Sequence, residues 1–148
     1  NMINDGIIIT DDGFFFHYLL QSIPSPSKIY IENLLKDAEN NLEGMLEIHT
    51  KMKNISKASS SMLYIILRRI SVAHLLLNYC IPKSKDDISA MLKKLKENEL
   101  TDALKITRKI WDGEDVEISN EKIEKIINII RDKIDECYME LEKYEEII

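Results

Sequence analysis

The chain has 148 residues, the size of one domain, and 45% of them are hydrophobic, which is enough for a substantial core. Only four glycines and three prolines punctuate it, so long regular elements are expected and an all-β fold with frequent turns is disfavoured. A net charge of −6 excludes a general nucleic-acid binder, which needs a basic field, but leaves room for a local basic patch.

Residues 6–10, Gly-Ile-Ile-Ile-Thr, read as a short strand of β-branched residues, followed by a turn at Asp11-Asp12-Gly13. Phe14, Phe15, Phe16, Tyr18, Leu19 and Leu20 then form a very apolar short helix. Nothing else in the chain reads as strand. Residues 1–24 are therefore expected to pair with a second copy, or to be the remnant of, or link to, a neighbouring domain. Both the stray strand and the three phenylalanines need cover, which predicts a homodimer. Pro24-Ser25-Pro26-Ser27 is a linker, because each proline pushes its predecessor out of the helical region.

The domain proper is expected over residues 25–148. A long helix runs from 27 to about 54, with Ile31, Leu34, Leu35, Ala38, Leu42, Met45, Leu46 and Ile48 at helical spacing. A polar break at 57–61 follows, and Ser59 to Ser61 offer a cap. Residues 62–80 then form a nearly all-apolar helix, which belongs in the middle of a bundle. Its polar residues Ser60, Tyr64, Arg68, Ser71, His74 and Asn78 recur every three or four positions and line one seam. Pro82 ends this segment. Ser84 with Asp87 resembles a capping box opening a helix through Ile88, Met91, Leu92 and Leu95. A further helix covers 100–111 and stops at Asp112-Gly113. Ser119 caps a last helix whose stripe is Ile123, Ile126, Ile127, Ile130, Ile134, Cys137, Leu141 and Tyr144. The fold class is all-α: an antiparallel bundle of about five helices.

Cys80 and Cys137 have neither disulfide-framework nor zinc-ligand spacing, so two thiols in a reducing cytoplasm are expected, with no metal and no cofactor. No leader segment is read, and Arg68 and Arg69 break the only apolar run before it reaches the roughly 18 residues of a membrane span.

Chemistry is sparse. Arg68 and Arg69 either pair with acids of a neighbouring helix, such as Asp37, Glu39 or Glu43, or hold an anion in their guanidinium forks. Arg69 and His74 could instead form a nuclease-like pair, His as acid/base and Arg on the phosphate, although five residues place them about 140° apart on a helix. Arg108 and Lys109 complement a helix C-terminus or, beside Trp111, offer a cationic stacking platform. Lys83 and Lys85 flank a helix start whose anion position Asp86 and Asp87 fill themselves. There is no phosphate loop, no HExxH, and no nucleophile with a base nearby.

Leu67-Arg68-Arg69 through Leu75-Leu76-Leu77, the turn Ile81-Pro82-Lys83-Ser84-Lys85-Asp86-Asp87 and Leu92-Lys93-Lys94-Leu95 resemble the core of HEPN-type helical domains. They are similar also to the C-terminal helical domain of kanamycin-nucleotidyltransferase-like proteins. Thr107 to Gly113, Ser119 and the Ile-rich last helix follow the same layout, and residues 5–15 look like the tail of an archaeal-type nucleotidyltransferase domain. HEPN ribonucleases carry Arg-x4–6-His late in the bundle. Here Arg108 has no histidine after it, the three lying at 17, 49 and 74, and the Arg69/His74 match falls in another helix. The Gly-Ser and paired-Asp signature of a nucleotidyltransferase is not present in the sequence. The resemblance thus implies a non-catalytic member that binds a nucleotide, RNA or a nucleotidyltransferase catalytic domain or subunit. Arg68, Arg69, Lys83, Arg108, Lys109 and Trp111 would form the anion surface. The alternatives are a ribonuclease using Arg69 and His74, and a structural dimeric interaction module.

Overall fold

A computed structural model describes the backbone of residues 27–52 and 57–145. The expected strand, turn and apolar helix of residues 1–24, and the dimer inferred from them, lie outside the described residues. Those residues form five helices: α1 (Lys28–Met52), α2 (Lys57–Leu77), α3 (Lys85–Lys94), α4 (Asn98–Trp111) and α5 (Asn120–Lys143). The all-α bundle read from the periodicity is the observed architecture.

Helix starts follow the capping residues. The Ser27 hydroxyl accepts the Tyr30 N–H at 3.1 Å, and that of Ser119 accepts the Lys122 N–H, also at 3.1 Å. At α3 the Ser84 hydroxyl accepts from Asp87 N, while the Asp87 carboxylate accepts from Lys83 N at 2.9 Å. The reciprocal bond of a capping box is therefore shifted one residue upstream. At α2 the expectation fails: residues 57–61 are helical, not a break. Serines in a helix cost only a few tenths of a kcal/mol each, and Lys57 and Ala58 are good helix formers.

Three helices end in Schellman motifs. After α4, Gly113 at φ +86° lets its own N–H reach the Ile110 carbonyl and the Glu114 N–H reach that of Lys109. The same pair of bonds closes α2 around Tyr79 (φ +59°) and α3 around Lys96 (φ +62°), where no glycine signals it. This is why α2 stops at Leu77 rather than at Cys80.

α2 packs against all four other helices, as its all-round apolarity demands. Leu63, Ile66, Leu67, Ile70, Ala73, Leu75 and Leu76 are fully buried along it. The whole expected stripe of α5 is buried, from Ile123 to Tyr144. On α1 the stripe holds except at Ile48, which is 49% exposed because it lies about 100° from the centre of the buried face. α4 runs antiparallel to α2: Trp111 meets Tyr64 near the start of α2, and Glu97, just before α4, meets His74 near its end. α5 runs parallel to α2, because His74 also faces Glu140 and Tyr79 stacks on Tyr144. No helix among the described residues is long and apolar enough to cross a membrane.

Candidate functional site: a cationic groove and a buried charge cluster

The polar seam of α2 lies along α4, and its two ends do different things. Towards the start of α2, Tyr64 and Arg68 open into a groove of about 280 Å³ between α2, α3 and α4. Towards its end, His74 enters a cluster of charges shared with α5. Between them Ser71 is fully buried and donates to the Leu67 carbonyl at 2.6 Å, so it needs no partner on another helix.

Six cations line the groove: Arg68 from α2, Lys85 and Lys93 from α3, and Lys105, Arg108 and Lys109 from α4. Among the described residues, Asp102 and Asp112 are its acidic lining residues. Helical spacing brings the cations together. Lys85, Ser89 and Lys93 fall at i, i+4 and i+8 on α3, and Lys105, Arg108, Lys109 and Asp112 at three- and four-residue steps on α4. Arg68 is buried, and its guanidinium carbon sits 5.8 Å from the centre of the Tyr64 ring. Tyr64 also meets Trp111, the ring centres 5.9 Å apart and tilted by 38°. Trp111 remains 43% exposed, so its indole forms a partly open aromatic edge beside the cations. Arg108 reaches across from α4 to α3: its Nη1 donates to Asp86 Oδ1 at 2.9 Å, and its Nε lies 3.9 Å from Asp112. The bond to Asp86 holds the guanidinium even more firmly in its charged form.

Of the residues singled out from sequence, Arg68, Lys85, Arg108 and Lys109 line this groove, and Trp111 borders it through Tyr64. Lys83 is exposed and Arg69 half-buried, and neither is among the lining residues. Lys93 and Lys105 were missed. They sit in charge-rich stretches where each reads as an ordinary solvated lysine, and only the eight-residue step from Lys85 to Lys93 and the four-residue step from Lys105 to Lys109 hint at a shared face. Glu39, expected as a possible arginine partner, accepts the hydroxyl of Tyr138 instead.

The second constellation joins α2, the α3–α4 connection and α5. His74 is 4% exposed. Its Nε2 lies 3.2 Å from Glu97 Oε1 and its Nδ1 3.9 Å from Glu140 Oε2. The buried Lys133 places its ammonium 2.9 Å from both Glu97 and Glu136. Burial, then the Lys133 charge, pushes the imidazole below its usual pKa, against the pull of the three carboxylates. The Lys133 ammonium is held above the usual range: burial opposes its charge, and the hydrogen bonds to Glu136 and Glu97 overcome that. Cys137 lies beneath the same cluster, and burial pushes its thiol up to about 12. No sequence motif marks this set, because Glu97 is separated from His74 and Lys133 by long stretches of chain.

No family model, no curated protein and no solved structure matches this chain.

Proposed function

We propose that this chain is a non-catalytic helical binding module that takes an anionic ligand, a nucleotide or RNA phosphate, in the groove between α2, α3 and α4. One observation carries the reading: among the described residues six cations line one groove, against the carboxylates of Asp102 and Asp112 and that of Asp86, which holds Arg108, on a protein whose net charge is −6. Like charges do not gather on an acidic protein without an energetic reason, and an incoming phosphate supplies one. The resemblance of the layout to HEPN-type and kanamycin-nucleotidyltransferase C-terminal domains supports the further reading that the module serves a nucleotidyltransferase catalytic domain or subunit.

Arg108 is the natural phosphate anchor. Its guanidinium already holds a carboxylate oxygen of Asp86, and a phosphate presents comparable oxygens to the same fork. Tyr64 and Trp111 would border the base or sugar.

The test is calorimetric titration of ATP and of a short single-stranded RNA into the full chain. Binding that weakens with added salt, and about tenfold or more in Arg108→Gln, is the expected result. Equal heats for wild type and Arg108→Gln, or no binding of either ligand, would sink the reading.

A further inference from the structure

The imidazole of His74 cannot satisfy both of its carboxylate neighbours in either neutral form. With the proton on Nε2, the Nδ1 lone pair faces Glu140 at 3.9 Å. With the proton on Nδ1, the Nε2 lone pair faces Glu97 at 3.2 Å. In keeping with this, Nδ1 is buried without a hydrogen-bond partner among the described residues. The surroundings are also short of positive charge. Glu97, Glu136 and Glu140 bring three carboxylates around a neutral imidazole, against the single ammonium of Lys133.

The geometry points to a divalent transition-metal site made by His74 Nε2, Glu97 and Glu136, with the Lys133 ammonium as its resident competitor. A ring nitrogen of His74 and carboxylate oxygens of Glu97 and Glu136 all lie within 4.8 Å of one another. The 3.2 Å between Nε2 and Glu97 is close to the roughly 3.3 Å that separates neighbouring ligands around tetrahedral Zn²⁺. A cation on Nε2 places the proton on Nδ1, which faces Glu140 at 3.9 Å, and an approach of about 1 Å by that part-exposed carboxylate would complete a hydrogen bond. A carboxylate behind the ligating imidazole is also the usual second partner of such a histidine. The imidazole favours Zn²⁺, Co²⁺ or Ni²⁺ over Mg²⁺ and Ca²⁺. The Glu136 and Glu140 side chains are 48% and 38% exposed, which leaves an entry path. The three ligands come from α2, the α3–α4 connection and α5, so a bound ion would clamp three parts of the bundle. Lys133 stands where the ion would go, and binding exchanges one positive charge for two.

Co²⁺ and Zn²⁺ titrations of the full chain test this directly. Expected are a visible Co²⁺ absorption that Zn²⁺ abolishes, and a Tm raised by Zn²⁺ but not by Mg²⁺. Lys133→Met should tighten Zn²⁺ about tenfold by removing the competitor, and Glu140→Gln should weaken it about tenfold while leaving every ligand in place. Glu97→Gln should remove the Co²⁺ absorption. Glu136→Gln, at a half-exposed position, stands in should that variant fail to fold. Absence of the Co²⁺ absorption in the wild type, its appearance in Lys133→Met alone, or its survival in both carboxamide variants would overturn the site.

Discussion

The hydroxyl of Tyr79 donates to the backbone carbonyl of Glu145 at 2.9 Å, and so ties the end of α2 to the end of α5 across 66 residues of chain. The Tyr79 ring also stacks on Tyr144, with centres 5.3 Å apart and planes inclined by 22°. The same residue sits at φ +59°, in the left-handed region that side chains avoid. A glycine would close α2 with less strain, but it would leave α5 without this clasp.

Tyr79→Ala keeps the strained backbone and loses both contacts, whereas Tyr79→Gly loses the contacts and relieves the strain. Tyr79→Ala should therefore destabilise the domain by about 2 kcal/mol, and Tyr79→Gly by about 1 kcal/mol less than that. Urea unfolding of the two variants beside wild type measures the difference. Equal losses would show that the left-handed residue carries no strain.

Lys96 occupies the same backbone position after α3 (φ +62°) and is exposed, with none of the clasp's contacts. Lys96→Gly should stabilise the fold by about 0.5–1 kcal/mol, the strain relieved less the extra freedom of an unfolded glycine. The readout is a rise in Tm with the far-UV spectrum unchanged.

His74 makes stability depend on pH. Its folded pKa is depressed below 6.5 by burial and by Lys133, while Glu97, Glu140 and Glu136 pull the other way. The unfolded chain therefore takes up the proton first. This contribution is fully present above about pH 6.5 and is lost as pH falls through the lower, folded value. His74→Gln should flatten the stability profile in that window, read as the urea midpoint at successive pH values. An unchanged slope between wild type and variant would contradict the assignment.

The two cysteines should separate cleanly in native labelling. Cys137 is fully buried, with its thiol pushed up to about 12, while Cys80 is half-buried beside the α2 end. A thiol reagent should modify Cys80 alone in the folded protein and both in denaturant, with mass spectrometry reporting the sites. Modification of Cys137 under native conditions at the rate of Cys80 would mean that the α2–α5 packing opens readily.

Much of the bundle is legible in the sequence, and the reason differs by element. Ser27, Ser84 and Ser119 start helices because a hydroxyl on the preceding residue satisfies a free amide, a local event that the sequence spells out. Gly113 ends α4 for an equally local reason. Tyr79 and Lys96 end helices in the same way but carry no signal, because tertiary contacts or backbone hydrogen bonds override the residue's own preference. Serines 59–61 misled the reading of the α2 start, since a small cost per residue is outweighed by the apolar helix they extend.

Periodicity alone determined that α2 is central and that Tyr64, Arg68, Ser71 and His74 share one seam, because a helix places every third or fourth residue on one side whatever surrounds it. The seam ends with α2 at Leu77, before the expected Asn78. Only the tertiary structure decided what that seam meets. α4 lies antiparallel along it, with cations of α3 and α4 around Arg68 at one end, and Glu97 and the α5 charges around His74 at the other. The spacing along a helix says which way a side chain faces. The identity of its partner depends on which distant segment packs there, and that is settled by burying the whole apolar surface at once.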